Sequence, residues 1–110
     1  MKAIGKHKNI IEYIELGSNI ERIFVSTNEL KIINYLALEY AVNKTLLEYL
    51  IHQTDAEDFV SEKWVRDWYR QILDGLIHMR STNHSHLDLK CENILLDGSL
   101  NVKIGDFGYA

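Results

Sequence analysis

Proline is absent from this 110-residue chain and cysteine occurs once, at Cys91. The missing proline assigns nothing by itself. A single cysteine excludes an internal disulfide and is compatible with a reducing compartment. No long apolar run is present either. The longest stretch, residues 32–41, contains Asn34 and Glu39 and is too short and too polar to span a bilayer. Behind the basic N-terminus (Lys2, Lys6, Lys8), Glu12 and Glu15 interrupt the apolar pattern, which makes a poor signal peptide. The net charge of −4 comes from interleaved acids and bases. That leaves no basic stripe for nucleic acid and no polybasic patch for a membrane surface. The expectation is a soluble cytoplasmic protein that binds neither.

A composition of 46% hydrophobic and 25% charged residues fits one globular domain. Residues 10–16, rich in Ile and Tyr, read as a strand that Gly17-Ser18-Asn19 breaks. Residues 22–26 suit a short extra strand. Residues 32–40 read as a strand apolar enough to be buried on both faces. Thr45-Leu46-Leu47-Glu48 matches a capping box, with Glu48 reaching back to the cap amide, and opens a helix. After the acidic connector 55–58, Ser61 caps a second helix that runs to about Arg80. Its apolar residues fall in two rows, 60, 64, 68, 72, 76, 79 and 65, 69, 73. A face that wide reads as core, with Trp64 and Trp68 on one side. Residues 94–96 and 102–104 are short strands of a hairpin with Gly98 in its loop. The pattern is α+β.

The hairpin organises the chemistry. Asn93 immediately precedes its first strand and Asp106 follows its second with one residue between, so an antiparallel return brings the two together. Asp88 lies on a tight loop just before, with Lys90 between. Oxygen ligands of this kind suit Mg²⁺, which retains waters and substrate phosphates in its shell. A nearby carboxylate can accept a hydroxyl proton, and a lysine can neutralise phosphoryl charge. A zinc reading of His84, His86, Asp88 and Cys91 matches no common ligand spacing. Nothing in the sequence requires Cys91 to be a reactive thiol.

Residues 86–93 read H-L-D-L-K-C-E-N, and residues 106–108 read D-F-G after the hairpin. Together they resemble the catalytic loop and metal-binding motif of eukaryotic serine/threonine protein kinases. The resemblance implies a truncated kinase fold: the fourth and fifth strands of the upper lobe, helices D and E, the catalytic loop and the hairpin after it. Residues 1–38 would close the upper lobe, 39–44 form the hinge and 45–110 begin the lower lobe. It implies Asp88 as the catalytic aspartate and Lys90 as the phosphate contact, and Lys90 favours the serine/threonine class. Asn93 and Asp106 would hold Mg²⁺. The ATP-facing set would comprise Leu38 at the gatekeeper position, Glu39 and Ala41 through their backbone, Glu92, Leu95 as the adenine floor, Asn93 and Asp106. His86 would pack beside Phe107. The implied partners are ATP and a protein substrate. Upstream, H-K-N-I-I at residues 7–11 resembles the approach to the fourth strand.

The sequence departs from the family pattern in several places. Leu87 replaces the arginine that binds activation-loop phosphate, which argues against control by that phosphate. Thr45 stands where a ribose-binding acid is common and reads instead as a helix cap. Residues 17–31 read as an insert. No glycine-rich loop or third-strand lysine is present, and the helix-C glutamate would fall just before Met1. The isolated chain is therefore expected to be inactive. The alternative is a non-catalytic, kinase-derived interaction fragment or pseudokinase remnant, in which Tyr13, Trp64, Trp68 and Phe107 lack their packing partners.

Overall fold

The computed structural model describes residues 5–24, 26–56, 59–84 and 88–105. Two antiparallel strands, β1 (Tyr13–Phe24) and β2 (Glu29–Leu38), form one sheet. Helices α1 (Leu46–Asp55) and α2 (Glu62–Ser81) follow. A 3-10 turn (Cys91–Asn93) leads into β3 (Ile94–Leu96), which pairs with β4 (Val102–Ile104) in a second antiparallel sheet. The result is a kinase-like α+β arrangement.

Gly17-Ser18-Asn19 does not end the first strand. The register shifts between Gly17 and Ile20, and Asn19 takes a left-handed φ of 56°, so the polar triplet forms a bulge inside β1. Of the short extra strand expected at 22–26, residues 22–24 are the distal end of that same β1. The strand also starts later than the sequence suggested. Ile10 and Ile11, both buried, leave β1 and join the lower core, where Ile10 bridges Ile104 in parallel. Burial of β2 on both faces is not observed. Cross-strand neighbours Leu16 and Leu36, and Ile23 and Leu30, are all exposed, as is Ile32. An isolated ladder of two strands can bury side chains only against each other, and no described element covers this apolar face.

Both helix starts are as read. Thr45 Oγ1 accepts from the Glu48 amide at 3.1 Å, and the Ser61 side chain accepts from the Trp64 amide. The capping box is half formed. Glu48 Oε1 receives the Thr45 hydroxyl at 3.1 Å and not the cap amide. At the far end of α2, Asn83 at φ 60° turns the chain, and the His84 amide returns to the Met79 carbonyl at 2.9 Å.

The core gathers Ile10, Ile11, Ala41, Leu46, Trp68, Met79, Ile94, Leu96, Val102 and Ile104. Only one of the two apolar rows of α2 enters it. Trp68 and Met79 are buried, whereas Val65, Tyr69 and Leu73 are exposed. Trp64 and Trp68 do meet, with ring centroids 5.9 Å apart, yet Trp64 is 39% exposed and Trp68 only 4%. Gly75 allows α2 to lie close to its neighbours. A β-carbon there would sit 2.8 Å from Ile104 Cδ1 and 3.2 Å from the Asn9 carbonyl oxygen.

Candidate active site

The hairpin holds its shape without using Gly98, whose φ is not positive. Asp97 closes the loop instead: its Oδ1 accepts the amides of Ser99 and Asn101, both at 2.9 Å. Leu100 takes the left-handed backbone conformation (φ 64°), costing about 1 kcal/mol. Two interactions offset that cost. The Leu100 carbonyl accepts the Trp68 indole N–H at 2.9 Å, and its side chain packs on the core. Helix α2 adds a second tie through Gln71, whose Oε1 accepts the Val102 amide at 2.6 Å. The hairpin is thus anchored on α2 through Trp68 and Gln71.

At the open end of the hairpin, the Gly105 amide donates to the Asn93 carbonyl at 2.9 Å. Gly105 is the last described residue before Asp106. The 3-10 turn, closed by the Asn93 amide on the Lys90 carbonyl at 2.9 Å, folds Asn93 back over the preceding loop. Its Nδ2 donates to the Asp88 carbonyl at 2.7 Å and to Asp88 Oδ2 at 3.2 Å. Lys90 Nζ lies 3.4 Å from the same Oδ2 and 3.9 Å from Glu92 Oε2. Asn93 is buried while Asp88 and Lys90 keep partial access to solvent. The structure therefore brings Asp88, Lys90, Glu92 and Asn93 together. Asp106, His86, Leu87 and Phe107 lie outside the described residues. The Oδ1 of Asn93 accepts no donor among the described residues, which leaves it suited to a cation. No group of three or more His, Cys, Asp or Glu side chains among the described residues is placed to hold a metal ion.

Of the expected nucleotide-facing residues, Glu39 and Ala41 occupy the link between the two sheets. The Glu39 amide donates to the Glu12 carbonyl at 2.9 Å, and Glu39 Oε1 accepts the Glu12 amide at 2.7 Å. Glu39 Oε2 pairs with Lys103 Nζ at 3.4 Å, joining β4 to this link. The Glu39 carbonyl and the Ala41 amide take no partner among the described residues. Beyond them, the Asn43 amide donates to the Leu96 carbonyl at 3.0 Å, and the Leu96 amide donates to the Lys44 carbonyl at 2.8 Å. Leu95 lies between these ties, half-buried, and Leu38 is partly exposed.

Sequence reasoning placed Asn9 in the H-K-N-I-I motif without giving it a role, and it missed Gln71. Asn9 is buried, and its Nδ2 donates to the Val102 carbonyl at 3.0 Å and to Gln71 Oε1 at 3.1 Å. The Ile104 amide donates to the Asn9 carbonyl at 2.9 Å. Residues 7–11 thereby form a third rail beside β4. The available signal for Asn9 was an uncharged polar residue immediately before an apolar pair.

A 3-10 turn and a short hairpin on a long helix, joined by a link to a second sheet, are compatible with a protein kinase domain. The whole chain, residues 1–110, matches the family model described as protein kinase domain, and the chain belongs to that family. It is 30% identical over 130 residues to the maternal embryonic leucine zipper kinase of Danio rerio, with 96% of this chain and 19% of that protein covered. It is 33% identical over 112 residues to the testis-specific serine/threonine-protein kinase 5 of Mus musculus, with 100% of this chain and 27% of that protein covered. The chain thus spans about a fifth to a quarter of the length of these relatives. No described helix is long and apolar enough to cross a membrane.

Proposed function

We propose that this chain supplies the hinge and catalytic loop of a serine/threonine kinase that transfers the γ-phosphoryl group of ATP to a protein hydroxyl. The observation that carries this reading is the tie of Asn93 to both the carbonyl and the carboxylate of Asp88, with Lys90 on the same carboxylate oxygen. Held this way, Asp88 can take the proton of a substrate hydroxyl as its oxygen bonds to the γ-phosphorus. The bond from that phosphorus to the β–γ bridging oxygen breaks, and ADP leaves. Lys90 sits where it can exchange Asp88 for the charge on the transferring phosphoryl group. Asn93 through its Oδ1, with Asp106, would hold Mg²⁺, which when bound neutralises charge on the phosphate oxygens. Residues 1–38 are assigned to the upper lobe, 39–44 to the hinge and 45–110 to the lower lobe. The Glu39 carbonyl and the Ala41 amide are an acceptor and a donor suited to the edge of adenine. Leu38 and Leu95 supply apolar surface beside them, and Glu92 stands near the phosphates through Lys90.

The test uses the complete kinase domain that carries this segment. Asp88→Asn should remove nearly all phosphoryl transfer and leave nucleotide binding within about threefold, because the carboxylate acts on the hydroxyl and not on the nucleotide. Asp106→Asn should weaken Mg²⁺-dependent nucleotide binding as well. Substantial turnover by Asp88→Asn overturns the assignment. A wild-type domain that binds nucleotide but transfers nothing would establish the non-catalytic reading, which the exposed apolar faces of β1, β2 and α2 favour.

A further inference from the structure

We propose that His7 is a proton-sensitive latch: protonation at Nδ1 removes the hydrogen bond that holds Asn9 and loosens residues 7–11 from α2 and β4. The Asn9 amide donates to His7 Nδ1 at 3.0 Å. A ring nitrogen that accepts an N–H carries no proton itself, so this contact belongs to the neutral imidazole with its proton on Nε2. The ring stacks on His78 of α2, with centroids 4.8 Å apart and planes 30° apart. The bond thus selects one protonation state, and the stack places a second imidazole against any charge that appears.

Burial and most of the neighbouring charges act in the same direction. Burial is the largest influence, holding the His7 pKa below the ordinary imidazole value. His78 on α2, Lys8 on its own segment and Lys103 on β4 push it the same way, and Asp74 on α2 opposes them. The sign follows directly. A histidine whose pKa is lowered by folding stabilises the folded state above the ordinary value near 6.5. That contribution is lost as pH falls through the folded value.

Asn9 spreads the effect. Its side chain joins Val102 and Gln71, and its carbonyl receives the Ile104 amide. Ile104 in turn accepts the Ile11 amide at 2.9 Å. Releasing Asn9 therefore frees one side of β4, two residues before Asp106. The latch stands on these contacts alone; its consequence for phosphoryl transfer rests on the role proposed for Asp106.

The test measures amide hydrogen exchange in the full-length protein at about pH 7.5 and about pH 5.5, a range in which histidine changes charge, with each rate corrected for its intrinsic pH dependence. In the wild type, peptides covering 7–11 and 102–105 should lose protection by about fivefold on acidification, the worth of one ordinary hydrogen bond. His7→Asn keeps an oxygen that can accept the amide two residues on and does not titrate. Its protection should be equal at both pH values. Wild-type protection that does not change, or a His7→Asn protein that loses protection as the wild type does, overturns the proposal. Should His7→Asn fail to fold, the wild type decides by nuclear magnetic resonance. The Asn9 amide signal must move with the midpoint of the His7 ring; an Asn9 signal that stays fixed while His7 titrates refutes the latch.

Discussion

Replacing Asn93 by aspartate separates two roles that a simple deletion would confuse. The side chain keeps its shape and an oxygen for a cation, and it gains a negative charge. Metal binding alone should therefore survive or strengthen. Positioning should not. The donor that reaches the Asp88 carbonyl at 2.7 Å and Asp88 Oδ2 at 3.2 Å becomes an acceptor facing two acceptors. Two hydrogen bonds are lost, one of them to a charged group, together worth about 2–3 kcal/mol. Two carboxylates about 3 Å apart repel by roughly 5 kcal/mol at an effective dielectric of 20. Solvent at the partly exposed Asp88 reduces that to about 1–2 kcal/mol. The pair relieves the remainder by moving apart or by one group taking up a proton. A loss of about 3–4 kcal/mol, felt wholly in the transition state, corresponds to a rate reduced by roughly 10²–10³. The assay is steady-state phosphoryl transfer by the complete kinase domain across a Mg²⁺ titration. The expected outcome is an unimpaired Mg²⁺ requirement with a rate at least about a hundredfold lower. A rate within about threefold of wild type would refute the view that Asn93 sets the position of Asp88.

Two further substitutions probe how the scaffold is held. Trp68→Phe removes the indole donor to the Leu100 carbonyl and roughly 50 Å² of buried ring, a loss of about 2–3 kcal/mol. Trp64→Phe, at a position exposed to solvent and with no hydrogen bond to lose among the described residues, should cost under about 1 kcal/mol. Urea unfolding followed by circular dichroism compares them, and equal losses would show that Trp68 does not anchor the hairpin. Gly17→Ala places a β-carbon inside the space of the Tyr35 ring. The ring must then swing away from Glu15 Oε1, which now accepts its hydroxyl at 2.6 Å. That bond is the main reason the Tyr35 hydroxyl titrates above its ordinary value, so its pKa should fall back in the variant. An unchanged phenol titration would mean that the ring does not depend on the gap above Gly17.

The parts of this protein that the sequence determined by itself are those governed by near neighbours. Thr45 and Ser61 cap their helices because a hydroxyl three residues before an amide reaches it whatever the rest of the chain does. The β3–β4 pairing follows from two short apolar runs around a five-residue loop, and the loop before it keeps Asp88 within reach of Asn93. Even locally, the residue that performs a task could be misjudged. Asp97 and Leu100 shape the turn, and Gly98 does not, because a side-chain oxygen and a distant indole together stabilise a backbone conformation that glycine is usually needed for.

Tertiary structure decided what depends on distant partners. Apolar residues in β2 and in the second row of α2 look like core in one dimension, yet burial requires an opposing surface, and no described element provides one. Asn9 reads as an ordinary polar residue until β4 and Gln71, remote in sequence, close around it. The pairing of Glu39 with Lys103 likewise forms only when the chain returns through the hairpin. The loop that holds Asp88 is written in eight consecutive residues. The platform that keeps this loop in place is assembled from residues 7–11, α2 and β4, whose contacts span 30 to more than 90 positions of chain and exist only once all three are packed.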